Sequence, residues 1–220
     1  MNQVSQGGLA IARRLAAVYR TNPNVQAVMV SGSVARGYAD HYSDLELGVF
    51  WATPPTDSER TTVIGQIGGE VWSLTSYTTD PESVVSEHYG LSAAEINGHT
   101  LTGLVMVDTK HVTLACLERC FGDVLEQFDT ALPKQILIAA IQDCIPLYGD
   151  ALLAQWQARA QQYPDRLAIK MIQENLWCGP WFIPRAYVER VDLLVLYQHV
   201  IWMQQSILKI LAGLNHCYYP

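Results

Sequence analysis

Apolar side chains recur between residues 7 and 20 at Leu9, Ile11, Ala12, Leu15, Ala16 and Tyr19, the spacing of one helical face. Thr21-Asn22-Pro23 stops that helix, since the residue before a proline is steered out of the helical region. Ala27-Val28-Met29-Val30 is an unbroken apolar run that predicts a buried strand. Ser31-Gly32-Ser33 follows as a small-residue turn, and Val34 to Ala39 predicts a short helix. From Ser43 to Trp51 polar and apolar residues alternate, the period of a second strand. Side chains on a strand point alternately to its two faces, so Asp44 and Glu46 share one side.

Further along, Thr61 to Gly68 predicts a helix and Glu70 to Leu74 a strand. Tyr77 to Gly98 has mixed periodicity and carries Pro81, Gly90 and Gly98; Val84 to Tyr89 within it is a candidate cover for a site. Leu101 to Thr113 opens after Asn97-Gly98, is rich in β-formers and holds one acid, Asp108. Two readings of it stand side by side. On a continuous strand Asp108 and Lys110 share a face; alternatively Asp108-Thr109-Lys110 is a polar hairpin turn between short strands. After Leu114 the pattern is helical throughout, beginning with a helix to Phe128 and punctuated at Pro133, Pro146 to Gly149, Pro164 and Gly179-Pro180. Val191 to Leu214 is strongly apolar, yet Gln198, His199, Gln204, Gln205 and Lys209 interrupt it, which predicts a buried helix and not a membrane span. The expectation is an α+β chain: a mixed sheet with helices over 1–128, then a helical bundle over 129–220.

The candidate chemistry lies between the first two strands. A Gly-Ser turn exposes backbone N–H groups that cradle phosphate oxygens, with the Ser33 hydroxyl as one more donor and a helix N-terminus adding positive potential. Mg²⁺ takes oxygen ligands and favours one or two carboxylates completed by substrate phosphates, which suits Asp44 and Glu46. Arg36 follows the turn directly and is the best cationic phosphate ligand of this half; Lys170, on a predicted helix from Asp165 to Leu176, is a second candidate. Each half of the pattern is commonplace alone, since Gly-Ser pairs occur in many turns and acid pairs on solvated strand faces. Their order and spacing together make it specific.

Gly32-Ser33, Arg36-Gly37 and Asp44-x-Glu46 resemble the signature of the polymerase-β-like nucleotidyltransferase superfamily, in the form found in small-molecule, aminoglycoside-type members. Ile145 to Gly149, Tyr163-Pro164 and Leu214 to Pro220 resemble the C-terminal part of that group less specifically, and relatives there are expected to continue past this ending. The resemblance implies a nucleotidyltransferase-type mixed sheet and a third acid on a later strand. Asp108 fills that place on the continuous-strand reading; on the hairpin reading Thr113 falls there, and Glu118 is a weaker substitute. It further implies catalytic and metal-binding roles for Asp44, Glu46 and Asp108, nucleotide binding by Gly32, Ser33, Arg36, Lys110 and Lys170, and two Mg²⁺ ions with ATP or another nucleoside triphosphate as substrate. The implied reaction moves a nucleoside monophosphate, AMP from ATP in the first instance, onto a hydroxyl of a small molecule and releases pyrophosphate. The alternatives are an AMPylating enzyme acting on a protein partner and a nucleotide-binding protein without transfer activity.

Composition narrows the acceptor. The 220 residues carry a net charge of −7 and contain no basic run, whereas a protein that grips nucleic acid neutralises many phosphates. No nucleic-acid or membrane partner is expected. The five cysteines form no disulfide framework, and Cys116 and Cys120, one helical turn apart, read as buried thiols. No export signal is visible at the N-terminus, so a cytoplasmic protein is expected. His111 reads as a hydrogen-bonded strand residue before it reads as a ligand, and Trp177, Trp181 and Phe182 as core or rim aromatics before stacking partners.

Overall fold

The computed structural model describes residues 1–77, 84–92, 104–177 and 182–219. Leu101 to Gly103, Pro81, Asn97-Gly98, Gly179-Pro180 and Trp181 lie outside them, as does the Phe182 side chain. The chain divides into two compact units, the first comprising Met1–Cys120 with Ala140–Gln161, the second Phe121–Ala139 with Gln162–Pro220.

In the first unit, α1 (Gln3–Tyr19) buries the face formed by Leu9, Ile11, Ala12, Leu15, Ala16 and Tyr19. Its N-cap Asn2 accepts from the Ser5 N–H, satisfying one of the donors a helix start leaves open. There follow β1 (Val25–Val30), the five-residue α2 (Gly32–Arg36), β2 (Leu45–Trp51), α3 (Asp57–Gln66), β3 (Gly69–Leu74), β4 (Val85–Ser92) and β5 (Leu104–Thr113). α3 begins with a full capping box, Thr56 and Glu59 each satisfying the other's backbone N–H. β6 (Ile145–Tyr148) and α6 (Asp150–Ala160) complete the unit.

The strands form one mixed sheet in the order β3-β4-β5-β2-β1-β6. β2 and β5 run parallel, and the other neighbours are antiparallel. This is the expected α+β mixed sheet. β5 runs unbroken through Asp108-Thr109-Lys110, which removes the hairpin reading. β6 corrects the expectation of helix throughout after Leu114. Ile145-Pro146-Leu147-Tyr148 pairs with the outer side of β1, and a proline is tolerated there because β6 is an edge strand. That pairing also returns residues 140–161 to the sheet, so the two units are not separated by a single cut near residue 128.

Alternation gives the sheet two unlike faces. Val28, Val30, Leu45, Leu47, Val49, Trp51 and Val107 pack with Leu9, Leu15, Tyr19, Val63 and Ile64 of α1 and α3. This covered face also holds a buried polar network. Arg60, Glu87 and His111 are each fully enclosed. Arg60 Nη2 donates to Asp57 Oδ1 and to the Thr75 carbonyl, at 2.6 and 2.7 Å, while its Nη1 lies 3.8 Å from Glu87 Oε2. Trp51 Nε1 donates to His111 Nδ1 at 3.0 Å, His111 Nε2 lies 2.9 Å from Glu87 Oε1, and the Tyr19 hydroxyl donates to the same oxygen at 3.1 Å. His111 is thus a core histidine on the face away from Asp108. Burial pushes its pKa below 6.5, with Glu87 opposing. On the other face Phe50 packs against Trp156 of α6, with ring centroids 4.8 Å apart and planes tilted by 49°.

The second unit contains α7 (Asp165–Asn175), α8 (Phe182–Glu189) and α9 (Leu193–Leu214), with the segment leaving α4 (Leu114–Phe121) through a π-helical turn at Gly122–Glu126 and most of α5 (Leu132–Gln142). Leu167, Ala168 and Met171 of α7 are buried, as are Ser206, Ala212 and Gly213 of α9, where the two helices pack. Buried Gln135 ties in the C-terminal tail, its Oε1 accepting from the Tyr219 N–H at 3.2 Å. The expectation of a buried helix over 191–214 is corrected: Leu194 is 70 % exposed, Tyr197 66 % and Ile201 52 %. Apolar content fixes that a helix has surface to bury, not that the surrounding chain supplies enough partners. No described helix is long and apolar enough to cross a membrane.

Candidate active site

The open part of the sheet's second face gathers most of the expected residues. β1 delivers the chain to Ser31, whose N–H donates to the Glu46 carbonyl at 3.0 Å, fastening the turn to β2. α1 braces α2 from behind. Asn2 Nδ2 donates to the Ala39 carbonyl at 2.8 Å, Ser5 Oγ accepts from the Ala39 N–H at 3.0 Å, and a Cβ at Gly8 would meet the Val34 side chain at 2.9 Å.

Gly32 is required twice over. Its φ of +62° lies in the left-handed region, and a Cβ there would fall 1.9 Å from Glu46 Oε2. The turn therefore lies directly against the Glu46 carboxylate. Gly32, Ser33 and Val34 open α2, where backbone N–H groups have no intrahelical acceptor.

Glu46 stands opposite Asp108 in the parallel register of β2 and β5, so the two side chains share a face. Asp44, half-buried, lies one residue before β2 begins. Partial burial, then the charges of Asp44 and Asp108, push the Glu46 carboxyl above the usual carboxylate range, and Arg36 and Lys110 oppose the shift. Two acids and two cations thus act on Glu46. Lys110 Nζ lies 3.0 Å from Asp108 Oδ2 and donates to Ser86 Oγ at 2.9 Å, so it is engaged by the acid strand itself. Arg36 Nε donates to Asp143 Oδ2 at 3.1 Å, a partly exposed pair. Lys170 belongs to the second unit, where Nζ lies 3.8 Å from Glu174 Oε1 one helical turn on. Trp177 is exposed, and Cys116 and Cys120 are buried.

Among the described residues, no group of three His, Cys, Asp or Glu side chains is arranged to hold a metal ion. The donor set suits a different kind of site. Glu46 and Asp108 offer two oxygen donors side by side, Asp108 Oδ1 is buried with no hydrogen-bond partner among the described residues, and burial, then like charge, has raised the energy of ionised Glu46. A small hard cation that keeps sites for water and phosphate fits two carboxylates of this kind.

His88 was not singled out by sequence. It lies on β4 opposite Asp108, with Nε2 3.5 Å from Asp108 Oδ1. The alternation of Glu87 and Tyr89 inward with Ser86 and His88 outward is its one sequence signal, and Gly90 with the mixed pattern around it obscures that strand.

Neither a family model nor a curated protein matches the chain. Among solved structures, it is similar to the Cid1 poly(U) polymerase, at 16% identity and a TM-score of 0.37, covering 64% of this chain and 41% of that one. It is also similar to a nucleotidyltransferase-like protein from Exiguobacterium sibiricum 255-15, at 11% identity and a TM-score of 0.42, covering 96% of this chain and 59% of that one. A further Cid1 structure, bound to MgGTP, is similar at 16% identity and a TM-score of 0.33, covering 64% of this chain and 42% of that one. The chain therefore spans less than two thirds of the length of each, and at such scores none bears on its reaction.

Proposed function

We propose that the first unit is a nucleotidyltransferase of the polymerase-β-like kind, moving a nucleoside monophosphate from a nucleoside triphosphate onto an acceptor hydroxyl. The observation that carries this reading is the packing of the Gly32 turn against Glu46, with Glu46 beside Asp108 across β2 and β5. A phosphate-binding turn and a row of acids then meet at one point. In the reaction the acceptor oxygen forms a bond to the α-phosphorus while the bond to the bridging oxygen breaks, and pyrophosphate leaves with that electron pair. N–H groups of the turn, with the Ser33 hydroxyl, hold the triphosphate oxygens. Arg36, one turn on, adds positive charge beside them. Asp108, in the row with Glu46, accepts the acceptor's proton, the work of a positioned base. Glu46 and Asp108 would hold Mg²⁺ together with the substrate, with Asp44 adding negative charge near Glu46, and the ion would supply charge neutralisation of the triphosphate when bound.

ATP is the proposed donor and a small-molecule hydroxyl the proposed acceptor. Support for the latter is a chain of net charge −7 without a basic run. Binding of nucleotide without transfer is the second reading. It is favoured by the Lys110 ammonium lying 3.0 Å from Asp108 Oδ2, which would compete with a cation for that acid.

The test is pyrophosphate release from Mg-ATP across a panel of hydroxyl acceptors. Asp44→Asn is expected to lower the rate about 10³-fold, the scale for losing a principal electrostatic contributor. Release that is unchanged in Asp44→Asn refutes the assignment of this site. A magnesium-dependent rise in melting temperature with ATP, but no turnover with any acceptor, favours the second reading.

A further inference from the structure

We propose that His88 is a positioning residue that holds Asp108 in its cation-binding orientation, with β4 acting as the backing strand of the site. The proposal rests on the nucleotidyltransferase reading only for its activity readout; its structural content concerns the cation-binding acids.

Three observations support it. Strand register is the first: β4 sets His88 opposite Asp108 and Ser86 opposite Lys110, so each polar side chain of β5 on the open face has a polar neighbour from β4. The second is that one of those pairs is already closed, Lys110 Nζ donating to Ser86 Oγ at 2.9 Å. The third is an unmet need at the other. Among the described residues Asp108 Oδ1 is buried without a hydrogen-bond partner, and His88 Nε2 stands 3.5 Å from it, too far for a hydrogen bond.

A carboxylate flanked by Glu46 is repelled from the row unless something fixes it on the far side. Lys110 fixes Oδ2, and the His88 imidazole is placed to donate to Oδ1 after a shift of a few tenths of an ångström. Catalytic hydrogen bonds are commonly long in the absence of ligands and tighten when the site is filled. The donation needs an N–H and no positive charge. A neutral amide of similar reach therefore replaces the imidazole, and alanine does not.

The experiment measures Mn²⁺ affinity of the full chain by electron paramagnetic resonance, for wild type, His88→Ala and His88→Gln, with urea unfolding as a control for folding. His88 is 40 % exposed at its side chain, so both variants are expected to fold. Outer partners of metal ligands typically contribute about 10–100-fold to affinity. His88→Ala is expected to weaken Mn²⁺ binding at least about tenfold on that scale, with His88→Gln within about threefold of wild type. In the pyrophosphate assay the same pair is expected to divide kcat, leaving KM for ATP within about twofold, because the turn that holds the triphosphate is untouched. Weakening of less than tenfold in His88→Ala, or His88→Gln as weak as His88→Ala, overturns the proposal. A wild type that shows this His88 dependence for Mn²⁺ and releases no pyrophosphate refutes nucleotidyl transfer and upholds the positioning role. A wild type that binds no Mn²⁺ overturns both.

Discussion

Replacing Gly32 by alanine separates the backbone demand of the turn from its contact with the acid row. Two costs arise at once. A φ of +62° is unfavourable for any residue with a Cβ, by about 1–2 kcal/mol. The new methyl would also lie 1.9 Å from Glu46 Oε2 and 2.6 Å from its Cδ, so the carboxylate must swing away. Since the obstructing atoms are the far end of a flexible side chain, that displacement costs only about 0.5–1.5 kcal/mol in rotamer strain. Gly32→Ala is therefore expected to destabilise the chain by about 1.5–3.5 kcal/mol, against about 5–15 kcal/mol for a typical domain, and to leave it folded. In a Glu46→Ala background the second cost vanishes and about 1–2 kcal/mol remains. Urea unfolding of the four proteins of this cycle measures the coupling, which should exceed the ~0.3–0.5 kcal/mol scatter of independent sites. Activity should suffer out of proportion, because a reacting group displaced by about 1 Å loses on the order of 10²-fold. Equal cost of Gly32→Ala in both backgrounds, or pyrophosphate release within threefold of wild type on about that scale, would falsify the packing of turn against acid.

The buried network on the covered face gives two further expectations. Because the folded His111 is held below pKa 6.5, the unfolded chain binds the extra proton in the window beneath that value, and stability falls as pH drops through it. The slope is at most about 1.4 kcal/mol per pH unit from this residue, and it should disappear from the urea-unfolding profile of His111→Gln; an identical slope in the variant would rule His111 out as its source. Arg60→Met should cost about 3–5 kcal/mol by leaving Glu87 buried beside an apolar side chain, and most of that should return in Arg60→Met/Glu87→Gln, with a double variant no more stable than the single one as the contrary result. At the other extreme, Leu194→Gln on the exposed side of α9 should shift stability by no more than about 0.5 kcal/mol in urea, and a loss of several kcal/mol would show that the face is covered.

The candidate site was legible wherever chemistry and local pattern coincide in one stretch of chain. Val28 to Glu46 supplies a strand, a glycine free to take the left-handed turn, and two acids close in sequence, of which only Glu46 lies within β2. Asp108 was legible as a residue but not as a strand position, because a polar Asp-Thr-Lys triplet suits a turn as well as the open face of a half-covered sheet. What sequence could not supply is register. His88 and Ser86 become relevant only because β4 pairs with β5 in one alignment out of several that the alternation permits. β6 escaped notice because four residues containing Pro146 look like a helix break until an edge of β1 is available to receive them. Arg60 would be read from its helix as a solvated charge; its burial depends on Glu87 and the Thr75 carbonyl arriving from elsewhere in the fold.

The sheet's outer strand bears on how the chain is made. β1 is among the first segments to leave the ribosome, but the strand that lies along its free edge is about 115 residues later, and part of the second unit is synthesised in between. At about 5–20 residues per second, the apolar edge of Val28 to Val30 waits about 6–23 seconds for Ile145 to Tyr148. A nascent chain in that interval presents an open template for pairing with a neighbour on the same message. The same order makes residues 1–128 alone a poor unit to express, since they would carry that open edge permanently.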